Sequence, residues 1–282
     1  MKKLALGLAV LALLAAACDG GDEPGPEQLV VASFYPLAWV AEAIAGDAAE
    51  VVDLTPSGVE PHDLELAPSQ VGMIEDADLV LYMGEGFQPA VEDVIDPESG
   101  SALDVLVGMA LMEGDPHVWL DPTRLADAVD EILAALAKPY PDESASFEER
   151  AADLQDRLTR LDRTFEEGLA DCARREIVTS HSAFGYLADR YDLEQIAISG
   201  LSPEAEPSPG RIAEVIDLAR ERGVTTIFFE TLVSPDVAET IADEIGVTTG
   251  VLEPIETQPD EGDYVDAMER NLTALRSALG CR

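Results

Sequence analysis

The stretch SFEERAADLQDRLTRLDRTFEEGL, residues 146–169, divides the sequence into two halves of similar pattern. Its apolar residues recur at steps of three and four, which predicts a helix with one apolar face of about 23 residues, roughly 35 Å long. Ser146 and Glu149 have the spacing of a capping box at the start of this helix. An ordinary packed helix or half of a coiled coil would show a similar stripe, but a helix of this length can also brace two lobes.

Short β-branched runs alternate with amphipathic stretches on both sides of this helix. Four strands are predicted before it and four after it, at Leu29–Ser33, Val51–Leu54, Leu79–Met83, Leu103–Val107, Glu176–Thr179, Gln195–Ser199, Thr225–Phe229 and Thr248–Leu252. Such alternation favours parallel sheets covered by helices, because parallel neighbours need crossover connections. We therefore expect an α/β fold of two lobes, each with a four-stranded parallel sheet flanked by helices: an N-terminal lobe (28–143), a linking helix (144–170) and a C-terminal lobe (171–282).

The first 17 residues have the pattern of a secretory signal peptide: two lysines, an apolar run and three alanines. Cys18 follows directly, which predicts a lipid anchor on this cysteine and a polar tether over residues 18–27. Ala15 stands where such signals usually carry leucine, so cleavage without lipidation, which leaves a periplasmic protein, is the alternative. No later segment approaches the roughly 20 apolar residues of a transmembrane helix. We expect a protein on the extracytoplasmic face of the bacterial cell membrane.

The composition is strongly acidic, with 57 acidic and 17 basic residues and a net charge of -40. Such a charge repels phosphate backbones and argues against a nucleic acid partner. Acidic residues spread along helix faces are usually solvated surface, so the acidity alone does not define a metal site.

Besides Cys18, the sequence contains Cys172 and Cys281. In an oxidising compartment, two cysteines separated by a long loop favour a disulfide, which would tie the C-terminus to its lobe. Two buried free thiols are the alternative, and a thiolate metal site is disfavoured because no Cys-x-x-Cys spacing occurs.

The sequence has three histidines, His62, His117 and His181, and each lies just beyond a predicted strand. Ligands of open α/β sheets bind beyond the carboxyl ends of the strands, so two histidines of the first lobe and one of the second can converge between the lobes. Glu253 has the matching position after the last predicted strand. Three imidazoles and one carboxylate suit tetrahedral zinc, whereas calcium prefers six or more oxygen ligands.

Three segments around the histidines resemble the ligand motifs of a known family: GVEPHD (58–63), DPHVWLDP (115–122) and TSHSAF (179–184). With the long helix and the late Leu-Glu-Pro (252–254), the sequence from about Leu29 onward is similar to the zinc branch of the zinc and manganese solute-binding proteins of ABC transporters. The resemblance implies two α/β lobes joined by a rigid helix, and a metal held by His62, His117, His181 and Glu253. It also implies delivery of the metal to a cognate permease and its ATPase. Members that favour manganese often have a carboxylate at the position of His181, so zinc is expected and Mn²⁺ is the alternative.

The fourth ligand departs from the family pattern, because Glu253 stands where the family usually has Asp. Glu60, beside the first histidine motif, is an alternative ligand, and water could also complete the shell. Asp63, Asp115 and Glu230 are candidates for holding the second ring nitrogens of the histidines, or for capping loops. The sequence also lacks the histidine-rich loop that many zinc members carry between their first two ligands.

Other classes of protein remain open at this point. A secreted zinc hydrolase could use three histidines and a zinc-bound water, but neither His-Glu-x-x-His nor Gly-x-Ser-x-Gly occurs, and the resemblance includes no catalysis. A surface adhesin or a metallochaperone would share the same metal site. We expect a monomer that is not an enzyme.

Overall fold

The structure is a computed structural model and describes residues 28–112 and 114–282. The expected signal peptide (1–17), the lipidation of Cys18 and the tether (18–27) lie outside the described residues. In the part of the chain that is described, no helix combines the length and apolarity needed to cross a bilayer.

The N-terminal lobe is a parallel four-stranded sheet with the strand order β2-β1-β3-β4. Its strands are β1 (Leu29–Ala32), β2 (Glu50–Asp53), β3 (Leu79–Tyr82) and β4 (Ala102–Asp104), and its helices are α1 (Tyr35–Ala45), α2 (Pro68–Asp76), α3 (Pro89–Glu92) and α4 (Pro122–Leu136). Strand β4 is shorter than expected, because the Asp104 carboxylate accepts hydrogen bonds from the backbone N–H groups of Leu106 and Gly84 and turns the chain. The carboxyl ends of these strands face the second lobe.

The C-terminal lobe repeats this architecture with the strand order β6-β5-β7-β8. Its strands are β5 (Glu176–Thr179), β6 (Glu194–Ala197), β7 (Thr226–Phe229) and β8 (Thr248–Val251), and its helices are α6 (Gly185–Arg190), α7 (Pro209–Arg222), α8 (Asp236–Ile245) and α9 (Tyr264–Leu279). All strand pairs in both lobes are parallel. The expectation of an α/β fold with two four-stranded parallel sheets is confirmed.

The lobes are joined by the long helix α5 (Ser144–Leu169), which packs against α1 and α4 of the first lobe and α9 of the second. Its apolar stripe is buried at every expected position, Phe147, Ala151, Leu154, Leu158, Leu161, Phe165 and Leu169. The expected capping box is wrong: the helix begins two residues earlier, and the Ser146 hydroxyl donates to the Glu143 carbonyl instead. A short 3₁₀ turn (141–143) leads directly into the helix, so Ser146 already lies inside its first turn.

One apolar cluster runs through both lobes by way of α5. It includes Leu81 of the first sheet, Leu158 of α5 and Phe228 of the second sheet. Burial of an apolar side chain of this size contributes about 1.5–3 kcal/mol to stability. The shared core therefore holds the two lobes on one scaffold.

The end of α5 is also joined covalently to the end of α9. Cys172 and Cys281 form a disulfide that closes a loop with a sequence separation of 109 residues. The backbone N–H of Arg282 donates to the Asp171 carbonyl beside it. The C-terminal segment is therefore fixed to the linking helix.

We expect removal of this disulfide by the double substitution Cys172→Ala and Cys281→Ala to lower the free energy of unfolding by about 2–5 kcal/mol, because the unfolded chain loses a long-loop constraint. Urea unfolding of the oxidised wild-type protein and the double variant measures the difference. Wild-type protein treated with a reductant is the matched control and should shift by the same amount. Equal unfolding midpoints for all three samples would contradict the prediction.

Candidate metal centre

The three histidines lie on segments that follow the carboxyl ends of strands, as the sequence predicts. His62 is in a short 3₁₀ turn (61–63) after β2, and His117 directly precedes a second such turn (118–120). His181 follows β5 in the other lobe. Their ring centroids are 5.4 to 6.2 Å apart, so the fold brings the three imidazoles to one point between the lobes.

A glutamate from the C-terminal lobe completes this cluster, and it is Glu256. Its Oε1 lies 3.7 Å from Nε2 of His62, 3.5 Å from Nε2 of His117 and 3.9 Å from Nε2 of His181. The four potential ligand atoms all lie within 4.8 Å of one another. Two donors come from each lobe.

The expectation of Glu253 as the fourth ligand is therefore wrong in position. Glu253 comes two residues after the end of β8, but its carboxylate accepts a hydrogen bond from the backbone N–H of Thr231 at 3.2 Å. The chain then turns through Ile255, whose φ of 57° lies in the left-handed region, and this turn directs Glu256 to the histidines. Both glutamates lie in the same loop. The sequence pattern does not predict that the isoleucine between them adopts a backbone conformation in the left-handed region.

The other two acidic candidates near His62 are also placed differently from the expectation. Glu60 is not among the four converging groups; its Oε1 accepts a hydrogen bond from the His62 backbone N–H at 3.3 Å. Asp63 is exposed to solvent and has no contact with a histidine ring nitrogen among the hydrogen bonds of the described residues. The 3₁₀ turn carries His62 inward, so its neighbour Asp63 faces outward.

Asp115 and Glu230 do hold ring nitrogens. Nδ1 of His117 lies 2.7 Å from Oδ1 of Asp115, and Nδ1 of His181 is hydrogen-bonded to Oε1 of Glu230. A carboxylate partner keeps the proton on Nδ1 and leaves the Nε2 lone pair free to bind a metal. Both rings are thereby turned with Nε2 towards Glu256.

The atoms at the centre of the cluster are buried and have no hydrogen-bond partner among the described residues. They are Nε2 of His62, His117 and His181, and both carboxylate oxygens of Glu256. A buried polar group without a partner costs about 1–3 kcal/mol, and more when it is charged. Four of these atoms, one from each residue, lie within 4.8 Å of one another, and they fit a bound cation that accepts their lone pairs.

The ionisable groups of the cluster shift one another's pKa values. Burial lowers the pKa of His117, but the neighbouring carboxylates of Asp115 and Glu256 outweigh this effect and raise the pKa to about 9. Burial raises the pKa of Glu256, but the surrounding histidines lower it well below its usual range. Burial, followed by repulsion from Glu256, raises the pKa of Glu60 to about 9. An ionised Glu256 is therefore better suited than Glu60 to bind a cation.

Comparison with known proteins agrees with this site. The family model described as ZnuA, zinc-uptake complex component A, periplasmic, matches residues 30–278. The chain belongs to this family. The match covers both lobes of the ZnuA fold and the linking helix between them.

Two relatives are similar to this chain over nearly all of its length. The high-affinity zinc uptake system protein ZnuA of Bacillus subtilis is 35% identical over 97% of this chain and 97% of its own length. The zinc-binding lipoprotein AdcA of Streptococcus pneumoniae is 36% identical over 98% of this chain. The chain spans only 61% of the length of AdcA.

Solved structures of the family have the same fold. The crystal structure of the Zn(II)-bound ZnuA-like domain of Streptococcus pneumoniae AdcA has a TM-score of 0.79 and 37% identity, covering 90% of this chain and 99% of that domain. The laminin-binding protein Lmb of Streptococcus agalactiae, described as a bifunctional protein with adhesin and metal-transporting activity, has a TM-score of 0.84 and 32% identity, covering 89% of this chain and 99% of its own.

We expect Glu256→Gln to weaken zinc binding by about 100-fold or more, since even residues that only support a metal ligand contribute about 10- to 100-fold. His117→Ala should have an effect at least as large. Glu253→Gln is the matched control, because it changes a neighbouring carboxylate of the same loop, and it should leave the affinity nearly unchanged. Competition with a chromophoric chelator measures all three affinities, and a larger effect for Glu253→Gln than for Glu256→Gln would restore the sequence-based assignment.

We also expect the zinc affinity to fall as the pH falls, because protons compete with the ion for the imidazole nitrogens. With its pKa raised to about 9, His117 carries a second proton, on Nε2, at neutral pH before the ion binds, so binding must release that proton. Calorimetry in buffers of different ionisation enthalpy measures the number of protons released. An affinity that stays the same between neutral and mildly acidic pH, with no proton released on binding, would contradict histidine ligation.

Proposed function

We propose that this chain is the extracytoplasmic zinc-binding component of an ABC uptake transporter, and that it captures Zn²⁺ between its lobes and delivers it to a permease. The observation that carries the proposal is the buried cluster of three unpaired Nε2 atoms and one ionised carboxylate at the interface of the lobes. The zinc-binding and zinc-uptake names of the relatives support the same role. In this role the ion is cargo.

The donor set favours zinc over calcium, magnesium and manganese. Three imidazole nitrogens and one carboxylate oxygen match a tetrahedral shell of borderline ligands, whereas calcium and magnesium prefer shells of oxygen. A Mn²⁺-binding member of the same family is the alternative, but manganese prefers carboxylate, carbonyl and water ligands. His181 therefore supports zinc as the cargo.

The site is better suited to holding an ion than to catalysis. A catalytic zinc usually has three protein ligands and an open position for water or substrate, whereas this cluster offers four protein ligands. The side chains of His117, His181 and Glu256 are fully shielded from solvent. We propose that the chain is not a zinc-dependent hydrolase.

The distribution of the donors between the lobes gives a route for release. His62 and His117 belong to the N-terminal lobe, whereas His181 and Glu256 belong to the C-terminal lobe. Separation of the lobes would leave two donors on each side, and a two-donor site holds zinc much more weakly than a four-donor site. Contact with the permease can therefore release the ion by stabilising a more open arrangement of the lobes.

An acidic cavity of about 840 Å³ lies beside the cluster, lined in part by Glu230, Glu253, Glu256 and Asp260. Its carboxylates favour cations over anions in the approach to the site. Glu253 lies in the wall of this cavity, and we propose that it is outside the metal shell.

The same role implies an oligomeric state, a membrane anchor and partners for the protein. We propose a monomer anchored to the membrane through a lipid on Cys18, with the permease and its ATPase as partners and no nucleic acid partner. The lipoprotein name of AdcA supports the anchor. Adhesion is a second candidate role, favoured by the laminin-binding relative with the same fold.

The proposed function can be tested in the organism that carries this chain. Deletion of its gene should prevent growth in zinc-depleted medium, and added zinc or the wild-type gene should restore growth. A gene with His117→Ala should fail to restore it, whereas Glu253→Gln should succeed. Restoration by manganese alone would favour the manganese-binding alternative, and growth of the deletion strain without added metal would contradict a role in uptake.

A further inference from the structure

The loop that carries Glu256 has a backbone conformation that its own residues do not favour. Ile255 directly precedes Glu256, is buried, and has a φ of 57°. A β-branched residue in the left-handed region is strained, because its Cβ approaches the backbone too closely. Such a conformation persists only where the surrounding structure holds it in place.

Asn271 of α9 holds this loop on the side of the C-terminal lobe. Its Nδ2 donates to the carbonyl of Glu253 at 2.7 Å, and its Oδ1 accepts from the N–H of Glu253 at 2.9 Å. The Asn271 side chain is buried, which limits competition from water for these bonds. The start of the loop is thereby fixed to its own lobe.

Trp119 of the N-terminal lobe holds the next residue of the loop. Its indole Nε1–H donates to the carbonyl of Pro254 at 2.7 Å, between groups that are both buried. This carbonyl belongs to the peptide unit that precedes the strained Ile255. The hydrogen bond crosses from one lobe to the other next to the metal centre.

The position of Trp119 is itself tied to the histidine cluster. Trp119 follows His117 by two residues, and their ring centroids are 5.1 Å apart. Its ring also packs against Phe34 and Phe87, at 4.8 and 5.3 Å, and Phe87 packs against His62. The ring that donates to the loop is therefore in the same packed group as two of the imidazoles.

We propose that Trp119 is a positioning residue for Glu256: its N–H fixes the Pro254 carbonyl, holds Ile255 in the left-handed turn and so presents the carboxylate to the three imidazoles. One side chain thereby links the donors of the two lobes. The inference rests on the metal site proposed above. It assigns to Trp119 an effect on metal geometry in addition to its packing.

The test uses Trp119→Phe, which keeps an aromatic ring and removes the N–H. We expect zinc affinity to fall by about tenfold, as for other residues that support a metal ligand. The absorption spectrum of bound Co²⁺ should also change, because it reports the coordination geometry. Trp39→Phe is the matched control: Trp39 is a buried tryptophan of the same lobe whose ring packs near Tyr264, and its substitution should leave both readouts nearly unchanged.

A double-mutant cycle separates positioning from packing. If Trp119 acts through Glu256, Trp119→Phe should cause no further loss of affinity in a Glu256→Gln background. A Trp119→Phe variant with lower thermal stability but wild-type zinc affinity and Co²⁺ spectrum would overturn the inference while leaving the metal site intact. Failure of the wild-type protein to bind zinc would instead overturn the proposed function.

A second variant covers the case in which Trp119→Phe does not fold. Replacement of Trp119 by benzothienylalanine keeps the shape of the bicyclic ring and substitutes sulfur for the N–H. The same loss of affinity and change in the Co²⁺ spectrum are expected. Wild-type values for this variant would overturn the inference.

Discussion

The cost of burying polar atoms without partners is the constraint on which the centre of this molecule depends. Three imidazole nitrogens and one carboxylate oxygen face one another inside the protein, shielded from solvent. A cation that binds all of them converts this cost into a stabilising interaction. The two lobes and the linking helix place these atoms at one point, so binding of the ion and alignment of the lobes are thermodynamically coupled.

The electrostatics of the centre differ from those of the surface. The large negative charge of the chain lies mostly on solvated side chains, where salt screens it within about 8 Å. At the centre, by contrast, Asp115 and Glu230 each hold one imidazole and determine which nitrogen faces the ion. The orientation of the donor atoms therefore depends on a few directed hydrogen bonds, and the acidity of the chain as a whole contributes mainly to the attraction of cations.

The sequence predicted the features that follow from periodicity and strand position. Periodicity and residue order along the chain were enough to predict three features. These are the apolar stripe of α5, the two parallel sheets, and the placement of the three histidines beyond strand ends. The fourth donor could not be predicted in this way, because it depends on the left-handed turn at Ile255, which tertiary contacts from Trp119 and Asn271 hold in place. The expectation that Asp63 holds a histidine ring nitrogen is wrong for a similar reason, since the short turn at His62 determines which neighbour faces outward.

The order of the four donors along the chain has a consequence for biosynthesis. Glu256 comes last, after β8, so the complete donor set exists only when the C-terminal lobe has been made and folded. A chain that crosses the membrane unfolded would carry at most separate histidines, which bind zinc weakly. Export would then not deplete the cytoplasm of zinc, and each molecule would acquire its first ion on the side where it captures its cargo.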